Sequence, residues 1–357
     1  MTHATITPKQ MAPVDVRTAL TMYVYRFLDA YGGLQPDPLV ALGAQETTDA
    51  LDEKYPITVG DPLFQKLVNG AAGYRELGEL YWTMITDVYQ DGVREKATRL
   101  RTSQWARRGW GNNPAKQAAA AMALKSRLVA TALMAGKTTA SVENVNGGSS
   151  IKIFQTGHPC DPFGGNSQTW DNLFTSKPLN LENVQAVRKS IRTQKSQNGN
   201  DYRGLEWTHV LLGPDLEDAA IDIFDEDFVL VASGANDTET QTLRPNPQRK
   251  RKKVQIVVSN YLTETGVWYP ACADETGELP WLTVVKVPAY QGPEGTMPGP
   301  GQVGADGIEF IVDDETSTLY KHGVPGVGPS GTVAVAAKLE AGAAITLPWR
   351  IFRCEPS

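Results

Sequence analysis

Cysteine and histidine are scarce in this chain, at three and four among 357 residues. Cys160, Cys272 and Cys354 are odd in number and far apart, which excludes a disulfide framework and metal-knuckle spacing; a reducing cytoplasm is the expectation. His3, His158, His209 and His322 are few and scattered, thin for acid–base chemistry. His158-Pro159-Cys160-Asp161 has no second pair of ligands near it to complete a zinc site. No uninterrupted apolar run approaches 18 residues, so no membrane span is expected. The first residues lack a charged region followed by an apolar one, so no signal peptide is expected. Excess basic charge is missing too. Forty acidic against 34 basic residues give a net charge of −6, which argues against a dedicated nucleic-acid binder.

What is abundant is turn chemistry, with 33 glycines and 23 prolines, in a chain whose 41% hydrophobic content suffices for a large core. By length, about two domains are expected. Val14 to Tyr31 places Val16, Leu20, Met22, Tyr23, Phe27 and Ala30 largely on one helical face, and Gly32-Gly33 ends the run. That helix could dock on its own domain or reach a neighbour. Tyr81–Tyr89 reads as strand or helix; Asp91-Gly92 is a hairpin-turn signal, with Val93–Leu100 as the returning strand. Asn113 as cap and Pro114 at the first helical position open an alanine-rich helix that closes at Gly136, about 24 residues or roughly 36 Å. Strand character is expected at Ser150–Thr156, and a further helix over Asn180–Thr193. Trp207–Leu212, Gly213-Pro214-Asp215 and Leu216–Phe224 form a strand–turn–helix unit. Later strands follow at Val254–Ser259, Val267–Tyr269, Trp281–Val287, Glu309–Asp313 and Thr332–Lys338.

Several motifs imitate chemistry. Gly136-Lys137-Thr138 ends like a phosphate-binding loop, but Thr131 stands where the first glycine belongs and the motif closes a helix instead of opening one. The acidic runs Asp225–Asp227 and Asp313–Glu315 are consecutive and lie in polar turns, unlike carboxylates held in contrasting environments. No Gly-x-Ser-x-Gly elbow is present. No catalytic residues are therefore assigned, nor any cofactor or metal. The basic stretches Arg249–Lys253 and Arg99–Arg108, the latter interleaved with Trp105 and Trp110, support an alternative reading as a nucleic-acid-binding protein.

The segment Ile151–Pro159, a strand ending in His-Pro, resembles the major head subunits (major capsid proteins) of Mu-like phages. Leu205–Ala220, Asn246-Pro247 with Val254–Leu262, and Trp268-Tyr269 follow in that family's order, so the resemblance covers about residues 75–290. It implies an α+β chain of the Hong Kong 97-type tailed-phage capsid fold. The segments would be an N-terminal arm (1–45), an extended β-hairpin loop (46–112), a peripheral domain (113–204) with a spine helix at 113–136, an axial domain (205–330), and a return to the peripheral domain (331–357). The implied function is a major capsid protein that self-assembles as pentamers and hexamers into an icosahedral head around double-stranded DNA, in the virion, after assembly in the host bacterial cytoplasm. Partners would be the chain itself, a separate scaffolding protein, a portal, a decoration protein, and packaged DNA held non-specifically, with no membrane. Candidate intersubunit contacts are Phe27, Leu28, Tyr81, Trp82, Tyr89, Trp105, Arg107 and Trp110. A compartment shell of the encapsulin type shares this fold and is the nearest alternative.

Overall fold

The computed structural model describes residues 16–48, 52–59, 78–138, 140–144, 151–160, 167–196, 201–232, 241–246, 248, 253–286, 307–313 and 331–357. Its architecture is α+β. In the principal sheet, β17 (Thr332–Ile345) pairs antiparallel with β4 (Asp87–Lys96), β15 (Leu279–Lys286) and β16 (Glu309–Asp313), while β1 (Gly43–Thr48) runs parallel to β15. The strand period of two divides β17 cleanly. Val333, Val335, Leu339 and Ala341 are buried against helices, while Lys338 and Glu340 join Lys286 and Glu309 in a charged row on the other face.

Two helices cover the apolar face. In α1 (Val16–Gly32), Val16, Leu20, Tyr23, Phe27 and Tyr31 recur at helical spacing and are all buried. They meet α4 (Gln104–Ala135) at Trp110, Ala118 and Leu124, and the sheet at Phe310, Val333 and Val335. The arm helix is thus docked on its own chain. The second half of α4 enters another core, where Val129 and Leu133 meet Leu39 of α2 (Pro38–Ala41), Phe154, Tyr269 and Trp281.

A second sheet has the order β13–β10–β14–β18–β9: Gln255–Val258, His209–Leu212, Trp268–Ala271, Arg353–Cys354 and Leu173–Phe174. All four residues of β10 are buried because both faces are covered. Leu211 faces the core of α4; Val210 and Leu212 face a core built with α5 (Leu181–Arg192) and α6 (Glu217–Phe224). Smaller units are β2 (Asp52–Val59) and β3 (Gly78–Ile85) with β5 (Ala140–Asn144) and β6 (Ile151–Lys152), the pair β7 (His158–Pro159) and β8 (Thr169–Trp170), and the pair β11 (Phe228–Ala232) and β12 (Gln241–Pro245).

The structure corrects several expectations. The long helix begins at Gln104, not residue 113, and has 32 residues. Ser103 caps it by accepting from the Ala106 amide, and Pro114 lies inside the helix. Proline removes one helical donor there, but the turn before it is held from outside: the Trp110 indole N–H donates to the Ala19 carbonyl, and its ring meets Tyr23 edge-on at 5.0 Å. Asp91-Gly92 makes no turn. β4 runs straight through both residues because ten consecutive positions are paired with β17. The extended hairpin is instead β2 with β3, paired from Asp52↔Ile85 to Val59↔Gly78, and Val93–Leu100 divides between β4 and the short helix α3 (Ala97–Thr102).

The strand expected over 150–156 is confined to Ile151–Lys152. β15 and β16, from segment 205–330, lie in the sheet beneath α1 and α4. The α5 helix, from segment 113–204, packs against β10, α6 and Trp268. Finally, α4 is long and apolar enough by length and composition to cross a membrane, which the search for uninterrupted apolar runs did not register. Lys116, Lys125 and Arg127 interrupt it, and its inner face is covered by the chain's own cores.

Candidate assembly surface

The buried polar groups are engaged in structural roles. His158 is 1% exposed, its ring stacked on Trp170 at 4.0 Å between centroids, with Nε2 2.9 Å from Asn172 Oδ1. Asn172 also donates to the carbonyls of Ile153 and Pro348 and accepts from the Gln155 amide, tying three segments together. Burial pushes the His158 pKa down from 6.5 to about 4, so the ring is neutral near pH 7. Arg353 forms a second polar centre. Its guanidinium reaches both Glu264 oxygens at 2.7 and 2.8 Å and Glu355 at 2.6 Å, and Tyr269 donates to Glu264. Burial raises all three cysteine thiols, Cys272 to about 12, leaving them protonated and poor as nucleophiles or ligands. Among the described residues no three His, Cys, Asp or Glu side chains gather as a metal site would require. Gly136 has Phe154 and Ile153 against it, so Gly136-Lys137-Thr138 is a packed helix end and not a phosphate cradle.

The eight candidate contact residues separate by burial. Phe27 is fully buried and Trp110 is 7% exposed, both within the core formed by α1, α4 and the sheet. Both side chains pack within this chain's own core. Leu28 and Tyr89 are half-buried at the edge of that core. Tyr81 and Trp82 lie on β3, opposite Pro56 and Tyr55 of β2. Trp105, in the first turn of α4, is 74% exposed with the Arg99 guanidinium 5.8 Å from its ring centroid. Arg107 is half-buried. Most of the basic run 249–253 lies outside the described residues; Lys253 pairs with Asp225 at 2.8 Å.

Sequence reasoning missed the Arg353–Glu264–Tyr269 and His158–Trp170–Asn172 clusters as units. The partners lie up to 89 residues apart in the chain, and no local period reports such pairing. Among the described residues, the arginine–tryptophan end of α4 is exposed while the polar centres are turned inward.

Comparison with known proteins gives three results. No curated protein matches the chain. Among solved structures, similar folds include a chain of Microbacterium phage Oxtober96, 8% identical over 90% of this chain and 92% of that one at a TM-score of 0.49. Others are the procapsid of bacteriophage JBD30 (10%, 96% and 75%, TM-score 0.47) and the holo-SrpI encapsulin complex of Synechococcus elongatus PCC 7942 (10%, 91% and 89%, TM-score 0.44). A sequence profile of the family described as phage capsid protein matches residues 104–337, from the first residue of α4 into β17. With well over half of its length matched, the chain belongs to the phage capsid protein family.

Proposed function

We infer that this chain is the major capsid protein of a tailed phage, a non-enzymatic component of the virion that self-assembles into an icosahedral head of Hong Kong 97 type. The observation that carries this reading is the family match over residues 104–337, which takes in the long helix α4 and strands of both sheets. Within that family the Mu-like head subunits are the proposed subgroup, on the strength of Ile151–Pro159, Leu205–Ala220, Val254–Leu262 and Trp268-Tyr269.

Assembly proceeds through subunits associating head-to-tail around fivefold and sixfold axes, reusing the same surfaces until the shell closes. The β2–β3 hairpin extends over a neighbour, and Leu28, Tyr81, Trp82, Tyr89, Trp105 and Arg107 contribute intersubunit contacts. The scaffolding protein is a separate polypeptide, since residues 1–100 are aromatic-rich and modestly charged, unlike a fused scaffold. A portal and a decoration protein complete the head. The acidic total charge suits a wall that holds double-stranded DNA without adhering to it. Assembly takes place in the host cytoplasm.

The test is electron microscopy with sedimentation velocity on the chain expressed alone and with its neighbouring genes' products. Closed particles, tubes, or rings of five and six subunits support the reading, and host-enzyme-loaded particles transfer it to a compartment shell. A monomer or dimer under every condition overturns it.

A further inference from the structure

We propose that the groove between α1 and α4 docks an acidic segment of a partner polypeptide, anchored by a bulky apolar side chain. Three observations meet there. The groove is a cavity of about 160 Å³ with Ala19, Met22, Leu100 and Trp110 among its walls. Met22 is 51% exposed, so one wall is apolar surface that the chain itself leaves uncovered. Arg107 also lines the groove, and its Nη1 is buried without any hydrogen-bond partner, while Nε makes only a long 3.4 Å bond to the Ser103 carbonyl. A buried guanidinium nitrogen with no acceptor is costly to leave unpaired; a carboxylate entering the groove supplies the missing acceptor.

The third observation is charge. Residues 91–116 hold seven lysines and arginines against two acids, Asp91 and Glu95, in a chain of net charge −6. Glu95 is taken up by Arg99 at 3.2 Å, and α1 adds Arg26 at the groove itself. This end of the molecule is a basic island that attracts anionic partners. The apolar pocket decides which kind. A phosphate backbone has no use for apolar walls of Met22, Leu100 and an indole, whereas a peptide carrying carboxylates beside a leucine or phenylalanine fills both requirements. This rests on the capsid reading and deepens it: the groove is where the separate scaffolding polypeptide engages the shell subunit.

The experiment measures fluorescence anisotropy on the full-length unassembled chain with three labelled probes. The first is a helical peptide with leucine at i, i+3, i+4 and i+7 and glutamate elsewhere; the second replaces each leucine by serine; the third is a short DNA duplex. The leucine–glutamate peptide binds tightest, about tenfold or more over either other probe, and Arg107→Gln weakens it by about tenfold. Met22→Glu, an exposed change that leaves the fold intact, weakens it comparably. Equal binding of the two peptides, a duplex that binds as tightly as the first peptide, or unchanged affinity in a folded Arg107→Gln variant each overturn the inference. Micrographs of the same protein keep the two readings apart. Closed shells without peptide binding remove only the groove, while a chain that never assembles removes the capsid reading.

Discussion

His158 shows how much a single buried ring sets. The Asn172 Oδ1 it faces can only accept, so Nε2 carries the hydrogen, and burial against the Trp170 face keeps the ring neutral despite that bond. Unfolded, the ring takes up a proton near pH 6.5; folded, it resists until about pH 4. The unfolded state therefore binds more protons between those values. The stability from the neutral ring is complete above pH 6.5 and is lost as pH falls toward 4. Between pH 7 and pH 5 the loss is about 2 kcal/mol. Urea unfolding at both values checks it: His158→Phe, which keeps the stack, should flatten that part of the dependence, and an unchanged slope would place the acid sensitivity elsewhere. Arg353 is the counterpart with permanent charge. Arg353→Met leaves Glu264 with the Tyr269 hydroxyl and Glu355 with Lys137 but without the buried guanidinium, and should lower stability by about 3 kcal/mol in thermal or denaturant melts, whereas Glu264→Gln, at a partly exposed partner, should lower it by less. The His-Pro pair was legible only as part of a resemblance. Its partner Asn172 was not legible at all, because contacts 14 and 176 residues apart leave no periodic trace.

At the level of elements, strong local periods were read correctly and competing local signals were not. The stripe of α1 apart from the exposed Met22, the helix α5 and the run of β16 follow from sequence spacing and were expected where they stand. Asn113-Pro114 looked like a helix start because both residues favour that position. The external anchorage of Trp110 carries the helix through them, and tertiary contact overrides local preference. Asp91-Gly92 was likewise overruled by ten paired positions on β17, where a Cβ at Gly92 would crowd Ala336. The bulge between Gly43 and Ala44 tests how closely elements approach. A Cβ at Gly43 would fall onto the Trp281 indole, which is fixed by donating to the Leu39 carbonyl at 2.7 Å. Gly43→Ala should therefore destabilise the chain by about 1–3 kcal/mol, read from the denaturation midpoint; no change would mean that the indole can turn aside.

Across the whole molecule, chain order and packing order differ. Strands 279–286 and 309–313 return to a sheet that also holds residues 43–48 and 87–96, so cutting the chain at composition shifts could not recover it. The β2–β3 hairpin stands apart from this interleaving: it belongs to a separate sheet with β5 and β6. Its ends also lie close together. Thr48 pairs with Lys286, Lys286 bonds Glu340 at 3.1 Å, and Glu340 pairs with Val88, so the two ends of the excursion are separated by three strand spacings, about 14 Å. A linker of about five residues spans that distance. Replacing residues 49–86 with such a linker should leave the melting temperature within a few degrees, since among the described residues the contacts removed are the pairing of β3 with β5 and its edge contact to β17. Closed particles should then fail to form in electron micrographs, even with the scaffolding polypeptide present. Intact shells from the trimmed chain would show that the hairpin is not an intersubunit element. A collapse of the melting transition would show instead that it stabilises its own subunit, and the contacts between subunits would have to be sought at the exposed arginine–tryptophan end of α4.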